Sequence, residues 1–232
     1  LRLDTNGKEK EIELQRRQVD LKPVRVSTRQ AGGHTLGYLR ITQFSEPVPE
    51  QTEQALSSLE AQGIDGLILD LRNNSGGLVS AGVAVANAFL DRDAVVETQD
   101  RNGLSSPVQA GPGQLYGGPM LTLVNGGTAS ASEILAGALQ DNGRSPLAGS
   151  RTFGKGLIQT LINLGDTSGL AVTVARYLTP SGRDIQNQGI EPNTPLAEPE
   201  PLNPGGRDDT WLERAEQLLL LQLEPTPALE AP

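Results

Sequence analysis

One lysine in a glycine-rich stretch, Lys155, is the first residue of this sequence whose setting suggests chemistry. The segment GSRTFGKG (149–156) matches the phosphate-loop pattern G-x-x-x-x-G-K-[ST] at its two glycines and its lysine, but Gly156 stands where that pattern has a hydroxyl residue. A phosphate loop must also open a helix. The segment after Lys155 alternates apolar and polar residues as a strand does. Nucleotide binding is therefore the weaker interpretation of Lys155.

The other interpretation is that Lys155 is a general base. It lies in FGKG (153–156), between small residues and an aromatic one, a setting that suits burial. Burial favours the neutral amine, which can accept a proton near neutral pH. The matching nucleophile is Ser130, in the glycine-rich turn NGGTASASE (125–133), and Ser-Lys pairs are a known variant of the catalytic triad. The single histidine, His34, makes a histidine-based triad hard to build.

Each of the two glycine-rich turns also has a purely structural interpretation. Ser130 and Glu133 form the S-x-x-E pattern of a capping box, in which the serine would only cap a helix. In DLRNNSGG (70–77), the paired glycines would only permit a tight turn. Ligands of α/β proteins nevertheless collect in strand-to-helix turns at the carboxyl ends of strands. Both turns are therefore candidate sites.

Strands and helices that alternate along the chain would position these turns. Strands are predicted at 1–14 (as a hairpin around residues 5–8), 24–26, 36–44, 66–72, 119–125, 156–164 and 169–180, and helices at 49–62, 78–90, 131–143 and 208–224, the last capped by Asp208 or Asp209. This order predicts an α/β domain with a layered sheet.

Composition narrows the function classes. The 232 residues carry 19 basic and 28 acidic side chains, a net charge of −9, so we expect no nucleic-acid partner. The absence of cysteine excludes disulfides and thiolate metal sites. The longest apolar run, near 217–221, is too short to span a membrane. The chain begins with Leu1 and has no signal peptide, so we expect a fragment or a mature form.

Five blocks of the sequence resemble the carboxyl-terminal processing proteases, in particular their cyanobacterial and chloroplast branch. These blocks are GYLRITQF (37–44), GLILDLRNNSGG (66–77), NGGTASASEILAGALQDN (125–142), TFGKGLIQ (152–159) and GLAVTVARYLTPSGRDIQNQGIEP (169–192). The resemblance covers roughly residues 1–195. It implies a ClpP/crotonase-like layered α/β core and a serine endopeptidase that cleaves near the C-termini of protein substrates, with no metal or nucleotide cofactor.

The resemblance also implies a set of site residues. They are the nucleophile Ser130, the general base Lys155, the lysine-orienting Gln159, and the oxyanion-hole amides of Ala131 and of Gly76 or Gly77. Asp141, at the end of a predicted helix, is interpreted as structural.

Family members carry a PDZ domain ahead of the protease core, and residues 1–18 resemble only its last strands. We therefore expect a PDZ remnant at 1–18, a serine protease core at 19–195, and a Pro-rich tether with a C-terminal helix at 196–232. The expected partner is a protein or peptide substrate with a free C-terminus, captured incompletely without the PDZ domain. The resemblance places the protein outside the cytoplasm, in the periplasm or thylakoid lumen. The alternatives are a catalytically inactive peptide-binding remnant and, less favoured, a nucleotide-binding protein.

Overall fold

Strands and helices alternate through most of the part of the chain that the structure, a computed structural model, describes: residues 2–5, 8–11, 22–103, 105–165, 168–197, 199–201 and 203–224. The strands are β1 (Arg2–Thr5), β2 (Lys8–Glu11), β3 (Val24–Ala31), β4 (His34–Ile41), β5 (Gly66–Asp70), β6 (Ala94–Asp100), β7 (Ser105–Gln109), β8 (Met120–Val124), β9 (Leu147–Gly149), β10 (Leu157–Asn163), β11 (Gly169–Leu178) and β12 (Thr194–Pro195). The helices are α1 (Val48–Ala61), α2 (Val79–Ala86), α3 (Ala131–Asp141) and α4 (Thr210–Leu223). The α/β class predicted from the sequence is confirmed.

The predicted N-terminal hairpin is present, with β1 and β2 antiparallel and Thr5 opposite Lys8. The rest of the predicted PDZ remnant, including Ile12 and Leu14, lies outside the described residues.

A six-stranded sheet in the order β12-β9-β8-β5-β4-β3 forms the centre of the fold. Its strands are parallel except for the antiparallel pair β3 and β4. Strand β5 is completely buried, as its continuous apolar run predicts for a strand covered on both faces. Along it, Leu67 and Leu69 join one hydrophobic core, and Ile68 joins the other.

Helices α1, α2 and α3 cover the first face of the sheet. Leu56 and Leu59 of α1, Val85 of α2 and Leu135 of α3 all belong to the core on this side. Helices α2 and α3 approach closely at Gly82, where an added Cβ atom would lie 3.1 Å from the carbonyl oxygen of Ala131. The first turn of α3, which follows Ser130, is therefore packed directly against α2.

Helix α4 covers the opposite face. Its residues Leu212, Ala215 and Leu219 pack with Leu36 of β4 and Leu123 of β8 in the second core. The alternating pattern expected over 36–44 is therefore not seen in the burial of β4, which is buried from its third residue onward, because α4 covers the face that alternation would leave in water.

A second, four-stranded antiparallel sheet has the order β10-β11-β6-β7. Its strands β10 and β11 lie where the sequence predicts them. Strands β6, β7, β9 and β12 have no counterpart in the sequence prediction, and α2 ends at Ala86 rather than at residue 90. Strand β12 lies just before the predicted Pro-rich tether, and its Thr194 pairs with Ala148 of β9. None of the helices in the described ranges is long and apolar enough to cross a membrane.

Candidate active site

Ser130 lies where the chain leaves β8 and enters α3, in a turn of residues 125–130 that we call the serine turn. Its backbone has φ 58° and ψ −119°, a conformation that residues with a side chain rarely adopt and that costs about 1–3 kcal/mol. Buried bonds hold the turn in place, since Thr128 Oγ1 donates to the carbonyl of Leu71 at 2.9 Å and the Ala129 amide donates to the carbonyl of Asn74 at 3.0 Å. The surrounding fold thus imposes the strained geometry of Ser130.

Residues 73–77, here called the glycine loop, approach the serine turn from the end of β5. Gly76 has φ +99°, and a Cβ atom there would lie 2.8 Å from Ser130 Cβ and 3.1 Å from the Ala131 nitrogen. Gly77 has φ +138°, and a Cβ atom there would lie 2.0 Å from the carbonyl oxygen of Phe44. Only glycine fits at either position without movement of the backbone.

The three predicted oxyanion-hole amides differ in their hydrogen bonding. The Gly76 amide donates to Asn74 Oδ1 at 2.9 Å, so it is engaged within the loop. Among the described residues, no hydrogen bond takes up the amide of Gly77 or of Ala131. Of the three predicted donors, the amides of Gly77 and Ala131 are therefore the ones without a bond to another described residue.

Lys155 lies in residues 152–156, the lysine loop, just before β10. The sequence prediction that Lys155 is buried beside Phe153 is wrong for this conformation, because Lys155 is exposed and Phe153 is 65% exposed. The small neighbours instead let the loop backbone pack closely. A Cβ atom at Gly154 would lie 2.8 Å from the Gly189 nitrogen, and one at Gly156 would lie 2.9 Å from the Gln186 nitrogen.

Glu133, in the first turn of α3, joins the serine turn to the lysine loop. Its side chain is completely buried. One carboxylate oxygen accepts the amides of Ser130 at 3.0 Å and Lys155 at 2.8 Å, and the other accepts the Gly154 amide at 2.8 Å and the Thr152 hydroxyl at 2.5 Å. A single carboxylate thus fixes the spacing of the two loops.

The glutamate of the S-x-x-E pattern therefore plays the part that a capping box assigns to it. Ser130 is the N-cap residue of α3, and Glu133 binds its backbone amide. Capping does not exclude catalysis, because a hydroxyl that accepts one hydrogen bond still has its own proton to donate.

Ser130, Lys155 and Gln159 line one open cleft. The rest of its wall is mainly apolar, formed by Val79, Leu157, Ile158 and Tyr177. Strand β10 changes register against β11 between Ile158 and Gln159, and both residues line the cleft. The structure thus brings Ser130, Lys155 and Gln159 to one cleft, with no hydrogen bond between the serine hydroxyl and the lysine amine in the described part of the chain.

Two other residues considered in the sequence lie away from this cleft. His34 begins β4, whereas the serine turn follows the carboxyl end of the parallel strand β8, and the Nδ1 atom of His34 lies 3.3 Å from Asp65 Oδ2. Asp141, at the end of α3, accepts the Ser181 amide at 2.9 Å and a hydrogen bond from Arg183. Burial tends to raise the pKa of Asp141, but hydrogen bonds from Thr179 and Ser181 and the charge of Arg183 outweigh it and lower the pKa. These contacts fit the structural interpretation of Asp141.

The family model of Peptidase family S41 matches residues 35–196, a range that contains the serine turn, the glycine loop and the lysine loop. This chain belongs to Peptidase family S41.

Two relatives of this S41 chain are named as C-terminal processing enzymes. It is 47% identical over 190 residues to a carboxyl-terminal-processing protease of Synechocystis sp., covering 82% of this chain and 44% of the relative. It is 45% identical over 202 residues to the chloroplastic C-terminal processing peptidase of Tetradesmus obliquus. This match covers 82% of this chain and 43% of the relative. The chain thus spans less than half the length of these relatives.

A solved structure, the photosystem II D1 C-terminal processing protease, matches the S41 chain with a TM-score of 0.74 at 42% sequence identity, covering 88% of this chain and 54% of that one. A putative S41 protease from Bacteroides fragilis also superimposes with a TM-score of 0.74 at 18% sequence identity. The match covers 90% of this chain and 60% of that one and shows that the two share a fold.

The roles of two site residues of the S41 chain, Glu133 and Thr152, are hard to predict from the sequence. The central position of Glu133 could be suspected only from its place three residues after Ser130. Thr152 gives no such sign, because its hydroxyl meets Glu133 across the fold and also accepts the Ile190 amide at 2.7 Å.

Proposed function

We propose that the chain is the catalytic core of a serine endopeptidase that processes the C-termini of proteins, with Ser130 as nucleophile and Lys155 as general base. One observation carries the proposal: a strained serine at a helix start lies against the glycine loop and shares a cleft with a lysine. The family membership and the names of the relatives support the same reaction class.

The proposed reaction follows from the site. The neutral amine of Lys155 takes the proton of the Ser130 hydroxyl while Oγ attacks the carbonyl carbon of the scissile peptide. The amides of Gly77 and Ala131 stabilise the negative charge that develops on the carbonyl oxygen. The ammonium of Lys155 then returns the proton to the leaving amine nitrogen. Water, deprotonated by the same amine, hydrolyses the acyl-enzyme and restores the Ser130 hydroxyl.

Because Lys155 is exposed, we propose that the bound substrate also helps to make its amine a base. The base must be the neutral amine, and water stabilises the charged form. A peptide bound in the cleft would cover Lys155 and displace that water. Gln159, which lines the same cleft, would then orient the amine. The resting cleft is thus proposed to become reactive when it is filled.

We also propose that the substrate is a protein or peptide with a free C-terminus and that the enzyme acts outside the cytoplasm, in a periplasm or thylakoid lumen. Two relatives support this proposal by their names, the "C-terminal processing peptidase, chloroplastic" of Tetradesmus obliquus and the "Carboxyl-terminal-processing peptidase 3, chloroplastic" of Arabidopsis thaliana. Comparison of kcat/KM for one tailed peptide as its free acid and as its amide tests the substrate. Equal values would contradict recognition of the carboxylate by this chain.

The reaction itself is tested with Ser130→Ala, Lys155→Ala and the double variant, with Lys22→Ala as an exposed control. Each single variant should lose at least about 10³-fold in kcat/KM, and the double variant should be no worse, because the two residues act as a unit. The control should match the wild type. Additive losses, or an active Lys155→Ala enzyme, would contradict the assignment of the base.

Two alternatives have distinct outcomes. A catalytically inactive peptide-binding remnant would bind the tailed peptide without cleaving it. A nucleotide-binding protein would show magnesium-dependent nucleotide affinity, and the strand β10 that follows Lys155 argues against it, since a phosphate loop opens a helix.

A further inference from the structure

Four charged side chains are buried directly beneath the glycine loop. Asp70 and Arg72 are completely buried, Asp209 is 1% exposed and Arg40 is 7% exposed. The cluster contains two positive and two negative groups, so its formal charge is zero. Buried charges persist only when they are paired, so each of these residues depends on the others.

Arg72 is the centre of this cluster. Its guanidinium binds Asp70 through Nε at 3.0 Å and Nη2 at 2.7 Å. It also binds Asp209 through Nη1 at 2.8 Å and Nη2 at 2.6 Å, a bidentate geometry that fixes the plane of the guanidinium. Arg40 binds Asp70 at 2.7 Å and donates to the backbone carbonyl of Arg72 at 3.0 Å.

Asp209 belongs to the C-terminal segment, 137 residues after Arg72. It caps helix α4 by accepting the Leu212 amide at 3.0 Å, and it accepts the Gly205 amide at 2.6 Å. Its neighbour Asp208 is exposed. Helix α4 is thus bonded to Arg72 through its N-cap residue.

The backbone around Arg72 continues directly into the site. The carbonyl of Leu71 accepts the Thr128 hydroxyl at 2.9 Å. The carbonyl of Asn74 accepts the Ala129 amide at 3.0 Å and the Ser132 hydroxyl at 2.8 Å. Residues 71–74 therefore touch the chain on both sides of Ser130, and three residues further on they lead to Gly77.

We propose that Asp209 is a positioning residue for the active site: by clamping Arg72 from the C-terminal segment, it holds the glycine loop in register with the serine turn. The inference rests on the proposed function, in which Gly77 and Ala131 supply the oxyanion hole. It assigns the C-terminal helix a part in catalysis although no residue of α4 lines the cleft.

The test compares Asp209→Asn with Asp208→Asn in the full chain. Asparagine caps helices about as well as aspartate, so Asp209→Asn removes the charge that Arg72 binds and keeps the helix start. In folded Asp209→Asn we expect kcat to fall about ten- to a hundredfold, the effect of a small displacement of catalytic groups, with KM changed by less than about threefold. The affinity for a peptide aldehyde, which mimics the tetrahedral intermediate, should fall in the same proportion as kcat. Asp208→Asn should match the wild type in all three measurements.

Hydrogen exchange of the amides of Asn74 and Ala129 gives a readout that needs no peptidase activity. The Asn74 amide donates to the carbonyl of Leu71, just before the glycine loop, and the Ala129 amide donates to the carbonyl of Asn74, across the two loops. They should exchange faster in Asp209→Asn than in Asp208→Asn. If the wild type cleaves no peptide, the proposed function fails and this measurement alone decides the positioning role. Unchanged exchange, or unchanged kcat in a folded variant, overturns the inference.

A variant that restores the charge balance covers the case in which Asp209→Asn does not fold. Arg40→Gln with Asp209→Asn leaves only the pair Asp70 and Arg72, so no net charge is buried. The positioning role predicts that this double variant folds and stays at least about tenfold below Arg40→Gln in kcat. Activity equal to that of Arg40→Gln would mean that Asp209 only balances charge.

Discussion

The two sides of the cleft are built differently. The serine side is anchored in the core, where buried bonds from Leu71 and Asn74 hold the turn and α2 packs against the first turn of α3. On the lysine side, the side chains of Lys155, just before the edge strand β10, and of Gln159, on that strand, are exposed, and the described residues of β10 pair only with β11. Apolar side chains along this hairpin, such as Ile162 and Leu170, are about half exposed.

The serine side is thus preformed, whereas on the lysine side the backbone is held by Glu133 and the Lys155 side chain stays in solvent. In the proposed mechanism, Ser130 and the amides of Gly77 and Ala131 are in place before a substrate arrives. In the same mechanism, Lys155 gains its final environment only when a peptide covers it. Among the described residues, Glu133 is the one whose side chain binds backbone amides on both sides, so it is the natural place to test the comparison.

Gly77→Ala should break the preformed side and have the largest effect. The new Cβ would lie 2.0 Å from the Phe44 carbonyl oxygen, so the loop must move and would carry the Gly77 amide out of the proposed oxyanion hole. We expect kcat to fall about 10²–10³-fold, as for the loss of one such donor.

Gly33→Ala is the matched control for Gly77→Ala. Gly33 has φ +83° and nothing within 4 Å of an added Cβ, so this variant carries a similar backbone cost without the clash. It should keep wild-type kcat. Equal losses in the two variants would mean that backbone strain, not the position of the amide, explains the result.

Glu133→Gln should disconnect the two sides. Glutamine offers one acceptor oxygen and a donor group where four donors converge, so buried amides lose their partner at a cost of about 1–3 kcal/mol in the free energy of unfolding. We expect kcat to fall about ten- to a hundredfold, because Lys155 is no longer held at its distance from Ser130. Glu53→Gln, an exposed change on α1, should have neither effect. Unchanged kcat with a lowered melting temperature would reduce Glu133 to a purely structural residue.

Asp141→Asn should change stability and leave catalysis alone. Its folded-state pKa is lowered, so its contribution to stability is complete above the unfolded pKa of about 3.9 and disappears as pH falls through the folded value. Urea unfolding should therefore show a larger deficit for the variant at pH 7 than at pH 3, with kcat near the wild-type value. A deficit that does not depend on pH would contradict the charge-based account.

His34→Ala should have the smallest effect. His34 lies at the amino-terminal end of β4, next to Asp65 and away from the cleft. The proposed mechanism uses no imidazole. We expect kcat/KM within about twofold of the wild type, in line with other surface substitutions. A folded but inactive variant would contradict the Ser-Lys assignment.

The sequence predicts best what local pattern decides. The apolar run of β5 and the glycine that ends α1 carry their own signals, and both elements lie as predicted. Strands β9 and β12, with three and two residues, are too short to show a period. The sequence also offers Asp208 and Asp209 equally as caps of α4. Only Arg72, which meets Asp209 across the fold, distinguishes them.

The exposure of Lys155 is likewise decided by contacts between distant segments and not by local sequence. Small neighbours permit a lysine to be buried but do not supply the atoms that would cover it. In FGKG the glycines pack their backbone against residues 185–189 and leave the side chains of Phe153 and Lys155 in solvent. The sequence identifies the residues of the cleft, whereas their solvation depends on which other segments reach them.

The ion pair between Arg72 and Asp209 has a consequence for the order of folding. Its two residues are separated by 137 positions, so its formation closes one of the longest loops in the chain and carries a correspondingly large entropic cost. The hairpins and the β5–β8 pairing involve shorter loops and can form first. On a growing polypeptide, Arg72 has no second carboxylate until residue 209 has been synthesised. We therefore expect the glycine loop to settle last, so that peptidase activity begins only once the chain has been made through α4.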